Sequence, residues 1–146
     1  MNRPTHVIVH CSDSPWGDAS VIEEWHRARG FSGIGYHFVV LNGKRRTSRV
    51  YIEDDDGRIE LGRPETEPGA HCLGFNSKSL GVCLIGRGAY TDRQMAVLRK
   101  LVASLMQRHN VPAYQVLGHG EADPKSKKPC PMLDMAAFRA SLTKQD

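Results

Sequence analysis

Apolar positions along the chain change period from one stretch to the next, and the changes mark the elements. Val7, Ile8 and Val9 form a short β-branched run ending in His10, Cys11 and Ser12, which predicts a buried strand over residues 6–11. After a loop at 12–17, Val21, Ile22, Trp25 and Ala28 fall on one helical face, with Ser20 and Glu23 as a capping box and Gly30 as a stop. Residues 37–41 predict a second strand, closed by the turn pair Asn42 and Gly43. Val50, Tyr51 and Ile52 on one side of Asp56 and Gly57, and Ile59 and Leu61 on the other, predict a hairpin. Residues 62–79, rich in glycine and proline, read as a long surface loop of the kind that carries function. Residues 80–86 are apolar at nearly every position, as a central strand buried on both faces requires. Thr91 and Gln94 form a capping box ahead of Met95, Leu98, Val102, Leu105 and Met106, a helix that should end near Asn110. Gln115, Val116 and Leu117 predict a short strand delivering His119, and Asp134 caps a last helix carrying Met135, Phe138 and Leu142. Strands interleaved with helices define an α/β fold with a mixed central β-sheet flanked by helices.

Composition narrows the class without naming a function. With 146 residues the chain has room for one domain with a substantial core, and a single unit spanning 1–146 is expected. No apolar stretch approaches a membrane span and the start lacks the apolar core of a signal peptide, so synthesis in the cytoplasm is expected. Cys11, Cys72, Cys83 and Cys130 are scattered, and no structural disulfide is expected in a reducing compartment. A net charge of +4 permits attraction to anionic polymers, but no basic stripe interleaved with aromatics points to nucleic acid.

Chemistry concentrates in the stretch from Gly118 to Pro131, which holds His119, Cys130, three lysines and prolines 124, 129 and 131. An imidazole and a thiolate both bind Zn²⁺, and a third ligand from His10, at the end of a buried strand, would be rigidly held. Three protein ligands leave the fourth tetrahedral position open, the arrangement of catalytic rather than structural zinc.

The motifs, taken in order, resemble the zinc-dependent N-acetylmuramoyl-L-alanine amidases of the phage lysozyme and peptidoglycan recognition protein family. The resemblance is carried by residues 7–12, by Gly35, Tyr36, His37 and Phe38, by Gly62 and Arg63, and by Gly69, Ala70 and His71 with Gly74, Phe75 and Asn76. It continues through residues 79–82, Gly118 and His119, and Pro129, Cys130 and Pro131. It implies a groove that binds peptidoglycan, metal ligands at His10, His119 and Cys130, a catalytic tyrosine at Tyr36 and a catalytic lysine at Lys128. His71 is placed at the groove, against substrate or behind a ligand. The spacing from His119 to Cys130 is longer than in the family's pattern, so Lys125 competes with Lys128, and the 43–58 segment reads as an insertion. Tyr36, a neighbouring histidine and Glu121 remain alternatives for the general base.

The implied function is hydrolysis of the amide between N-acetylmuramic acid and L-alanine by a phage or prophage endolysin, reaching the wall after membrane breach. A cytosolic amidase recycling wall fragments and a peptidoglycan-binding module without catalysis are the alternatives. A monomer is expected, with no stable nucleic-acid or membrane partner. Some phage relatives bind an RNA polymerase; the short segment before His10 argues against that partner here.

Overall fold

The structure, a computed structural model, describes residues 1–126 and 129–143. Strands β1 (His6–Cys11), β2 (Phe38–Asn42), β3 (Asp56–Leu61), β4 (Ser79–Leu84) and β5 (Val116–Gly118) form one sheet in the order β3-β2-β4-β1-β5. β1 runs parallel to β4 and β5, β4 runs parallel to β2, and β3 is antiparallel to β2, so the sheet is mixed as expected. β1 and β4 lie at its centre, which is why both are almost wholly apolar: a parallel strand covered on both faces has no polar side.

Alternation along β1 divides its side chains between two layers. Val7 and Val9 pack with Leu80, Val82 and Leu84 against Leu98, Val102 and Leu105 of helix α2 (Asp92–His109) and Phe138 of helix α4 (Met135–Leu142). Ile8 and His10 face the other side, where Ile22 of helix α1 (Ala19–Ala28) packs on Val39, Leu41, Cys83 and Ile85. His10 is therefore a polar group on the α1 face of a central strand. α2 carries the expected Thr91–Gln94 capping box and ends at Asn110, whose φ of 55° supplies the left-handed cap. The buried Gln94 amide also donates to the carbonyls of Val40 and Ile85, tying the helix to the sheet.

Two local expectations are corrected. α1 is capped by Asp18 rather than Ser20: the Asp18 carboxylate accepts the Val21 N–H at 2.9 Å and is itself held by Arg45 at 3.1 Å. The hairpin across Asp56 and Gly57 does not form. Val50, Tyr51 and Ile52 are about half exposed and join no strand, Glu53–Asp55 is a short 3-10 turn, and β3 pairs with β2 instead. The alternation in that segment matched a strand, but no layer covers it. Its path is set by polar ties: Arg45 reaches Asp18, Asp55 and Glu60 (3.1, 3.3 and 2.7 Å), and the Tyr51 hydroxyl donates to Asp56 at 2.6 Å.

Candidate active site

His10 is the penultimate residue of β1, with 1% of its surface exposed. β5 lies alongside, pairing Gly118 with Val9, and the one-turn helix α3 (His119–Ala122) starts immediately after it. Strand pairing thus places His119 beside His10, with ring centroids 4.7 Å apart. Cys130 returns over the same strand end: its carbonyl accepts the Gly120 N–H, and its sulfur accepts the Cys11 N–H, both at 2.9 Å. Gly118 permits that return, because a Cβ there would lie 2.9 Å from Pro131 and 3.0 Å from Met135. One ligand atom each from His10, His119 and Cys130 lies within 4.8 Å of the others.

Burial sets the protonation of this cluster. His10 is held well below its ordinary pKa by desolvation and then by His71, His119 and His26, and His119 is lowered chiefly by burial. Both imidazoles are neutral near pH 7, the form that ligates a metal. The hydrogen-bonded Cys11 thiol and burial hold the Cys130 thiol above its usual range, and a cation at the cluster would reverse that by stabilising the thiolate. Tetrahedral zinc, with bonds of about 2.0–2.3 Å, separates its ligand atoms by roughly 3.5 Å. The observed separations exceed that by at most about 1.3 Å, and two imidazoles and a thiol are a donor set that suits the ion.

The cluster forms the floor of a cleft of about 770 Å³, whose walls include Trp25, His26 and Arg29 from α1 and Ala70, His71, Leu73 and Asn76 from the long loop. Tyr36 is in this cleft, its ring centroid 5.0 Å from that of His10, and burial raises its hydroxyl well above the ordinary pKa. His71 stands behind His10: its Nδ1 is 2.8 Å from His10 Nε2, and its Nε2 is 3.2 Å from the Ser79 hydroxyl. Burial lowers His71 to about 3, followed by the effects of His37, His119 and Arg63. Lys128 lies outside the described residues. Lys125 is exposed, with its N–H donating to Asp123 at 3.1 Å.

Two contributors, Asn76 and His26, escaped sequence reasoning, and a third, Glu121, has another role than the one considered for it. Asn76 accepts the N–H groups of His71 and Cys72, fixing the loop that presents His71. His26, which no sequence motif singled out, is buried on the cleft wall and accepts the Gly35 N–H through Nδ1 at 2.9 Å. Glu121 faces α4: it accepts the Gly118 N–H and makes a two-pronged ion pair with Arg139 at 2.7 and 3.0 Å. Of Asn76 and His26, only Asn76, within the Gly74, Phe75 and Asn76 run, stood in a motif that could have flagged it.

Fold and site together define an α/β protein with a His–His–Cys centre, able to hold a metal, at the floor of an open cleft. The family profile described as N-acetylmuramoyl-L-alanine amidase matches residues 1–132. The chain is 34% identical over 140 residues to the endolysin of Escherichia phage T7, covering 88% of this chain and 81% of that one. It is 32% identical over 142 residues to the endolysin of Klebsiella phage KP32, covering 90% and 82%. Among solved structures, N-acetylmuramoyl-L-alanine amidase LysC from Clostridium intestinale URNW superposes with a TM-score of 0.81 at 26% identity, covering 99% of this chain and 88% of that one. The chain belongs to the N-acetylmuramoyl-L-alanine amidase family, and its activity is hydrolysis of that amide bond in peptidoglycan.

Proposed function

We propose that the chain is a zinc-dependent endolysin that cleaves the amide between the lactyl group of N-acetylmuramic acid and L-alanine, acting once the membrane has been breached. The convergence of His10, His119 and Cys130 at the cleft floor carries the metal assignment. Zinc bound there would supply Lewis acidity, polarising the scissile carbonyl and lowering the pKa of water. The chain's own residues supply the rest. His71, hydrogen-bonded to His10 and braced by Ser79, fixes the His10 ring, the support that metal-ligating histidines ordinarily have. Tyr36 keeps its proton at neutral pH and serves as a donor to the carbonyl oxygen as negative charge develops. Lys128, two residues before Cys130, is assigned as a second donor on its place in the sequence. Glu121 is a poor general base, because Arg139 and then the Gly118 N–H hold its carboxylate ionised and turned toward α4.

The test is release of free L-alanine amino termini from purified peptidoglycan, with metal content measured in parallel. Release that is abolished by chelation, restored by zinc and absent in Cys130→Ala supports the reading. Full activity in metal-free protein, or in folded Cys130→Ala, would overturn the metal assignment.

A further inference from the structure

Cys130 is carried by a turn bordered by open space on two sides. Its front faces the cleft, and behind it lies a second hollow of about 640 Å³, whose walls include Pro129, Pro131, Glu121 and Arg139. Cys130 and Pro131 are buried between the two, while Pro129 and Met132 are exposed. Packing thus grips only the middle of the turn, and polar ties must fix the rest. Pro129 and Pro131 have no N–H to give, so the carbonyls of the turn are its principal handles. The Pro129 carbonyl accepts the Met132 N–H at 2.6 Å, which closes the turn on itself without fastening it to anything else. Outward ties come from the other two: the Cys130 carbonyl accepts the Gly120 N–H at 2.9 Å, and the Pro131 carbonyl accepts the Tyr90 hydroxyl.

Tyr90 is itself held by stiff parts of the fold. It stands directly before Thr91, the N-cap of α2, whose hydroxyl donates to Asp56 at 2.6 Å. Its half-buried ring packs against the core beneath α2 and lies over Gly86, where a Cβ would come within 2.9 Å of the ring. The hydroxyl is therefore aimed by a helix start and a packed ring. That hydroxyl is also in hydrogen-bonding contact with the Cys11 thiol, and the Cys11 N–H donates to the Cys130 sulfur. Tyr90 thus meets the turn at Pro131 and the end of β1 at Cys11, on either side of the candidate ligand atom. Resting on the metal reading above, we propose that Tyr90 is a positioning residue of the metal centre, whose hydroxyl holds the Pro131 carbonyl and so fixes the approach of the Cys130 sulfur to His10 and His119. A side chain outside the cleft then sets how firmly the thiol ligand is presented, because a ligand whose carrier wanders binds metal less tightly.

The test is Tyr90→Phe, which keeps the ring on Gly86 and removes only the hydroxyl. Losing one hydrogen bond shifts an equilibrium by about two- to tenfold, and that is the expected fall in zinc affinity, read by competition with a chromophoric chelator. In cobalt-loaded protein the thiolate-to-cobalt charge-transfer band should lose intensity. In metal-free protein, iodoacetamide labelling read by peptide mass spectrometry should modify Cys130 about two- to tenfold faster, with Cys72 and Cys83 unchanged. Tyr51→Phe, which removes a tyrosine bond to Asp56 outside the cleft, should leave all three readouts at wild-type values. Wild-type affinity, cobalt band and Cys130 labelling in Tyr90→Phe overturn the positioning role while the metal reading stands. Labelling raised equally at all four cysteines overturns it as well, because that marks a general loosening of the fold. A cobalt-loaded wild type without a thiolate band, or zinc held as tightly by Cys130→Ala, overturns the metal reading and the positioning role with it.

Discussion

At the scale of single residues, the site depends on where protons sit. Tyr36→Phe keeps the ring that packs 5.0 Å from His10 and removes only the hydroxyl. If that hydroxyl serves the developing oxyanion, kcat should fall by about 10²–10³-fold, with KM and zinc content near wild type. Full turnover in the zinc-loaded variant would remove Tyr36 from the mechanism. His26 makes a different prediction. Burial, then Arg29 and Arg63, lower its pKa to about 4 from an unfolded value near 6.5. Above pH 6.5 both states are neutral, and His26 adds no pH dependence. Between about pH 6.5 and 4 the unfolded chain takes up a proton that the folded one refuses, so stability falls with pH by up to about 1.4 kcal/mol per unit from this group. His26→Gln, which can still accept the Gly35 N–H, should show a shallower loss of stability between pH 7 and 4.5 in urea titrations of metal-free protein. A parallel pair of curves would mean that His26 titrates as it does in water.

At the scale of elements, the candidate ligands are only as fixed as the segments that carry them. α3 is one turn long, too short to hold His119 by its own hydrogen bonds. Its anchor is the Glu121–Arg139 pair, reinforced by Arg139 donating to the Val116 carbonyl at 3.1 Å. Arg139→Met leaves Glu121 unpaired and α3 untethered from α4. Zinc affinity should drop by about 10–100-fold, read by competition with a chromophoric chelator, while far-ultraviolet circular dichroism stays unchanged. An affinity equal to wild type would show that β5 and the Gly120–Cys130 hydrogen bond position His119 without Arg139. Gly81 in β4 gives the second case. A Cβ there would sit 2.7 to 2.9 Å from the His71 ring atoms, so Gly81→Ala must push that ring off His10. Such overpacking costs about 1–3 kcal/mol, visible as a lower urea midpoint accompanied by lost activity. β1, β4 and α2 were readable because their hydrophobic period and caps are local signals. The 50–61 hairpin was misread because alternation cannot tell whether a layer exists to cover it. The Glu121–Arg139 anchor was invisible because its partners stand 18 positions apart on different elements.

At the scale of the whole molecule, the site is assembled from the two ends of the chain. Strand order β3-β2-β4-β1-β5 puts β5 next to β1 although three strands intervene in sequence, and Cys130 meets Cys11 across 119 positions. His10, His119 and Cys130 could be named from the sequence as ligand types. Their proximity follows from parallel pairing and a tertiary return that no local pattern encodes. This closure has a thermodynamic consequence. In the unfolded chain His10 and Cys130 are separated by most of its length, so a metal bridging them binds the folded state in strong preference to the unfolded one. Free zinc held at 100 times its dissociation constant should raise unfolding free energy by about 2.7 kcal/mol. For a chain of this size that corresponds to an increase of roughly 5–11 °C in Tm. The rise should vanish in Cys130→Ala and be reversed by chelation. A zinc-induced shift of the same size in Cys130→Ala would place the stabilising metal elsewhere, because the remaining His10–His119 pair cannot complete the same three-ligand bridge.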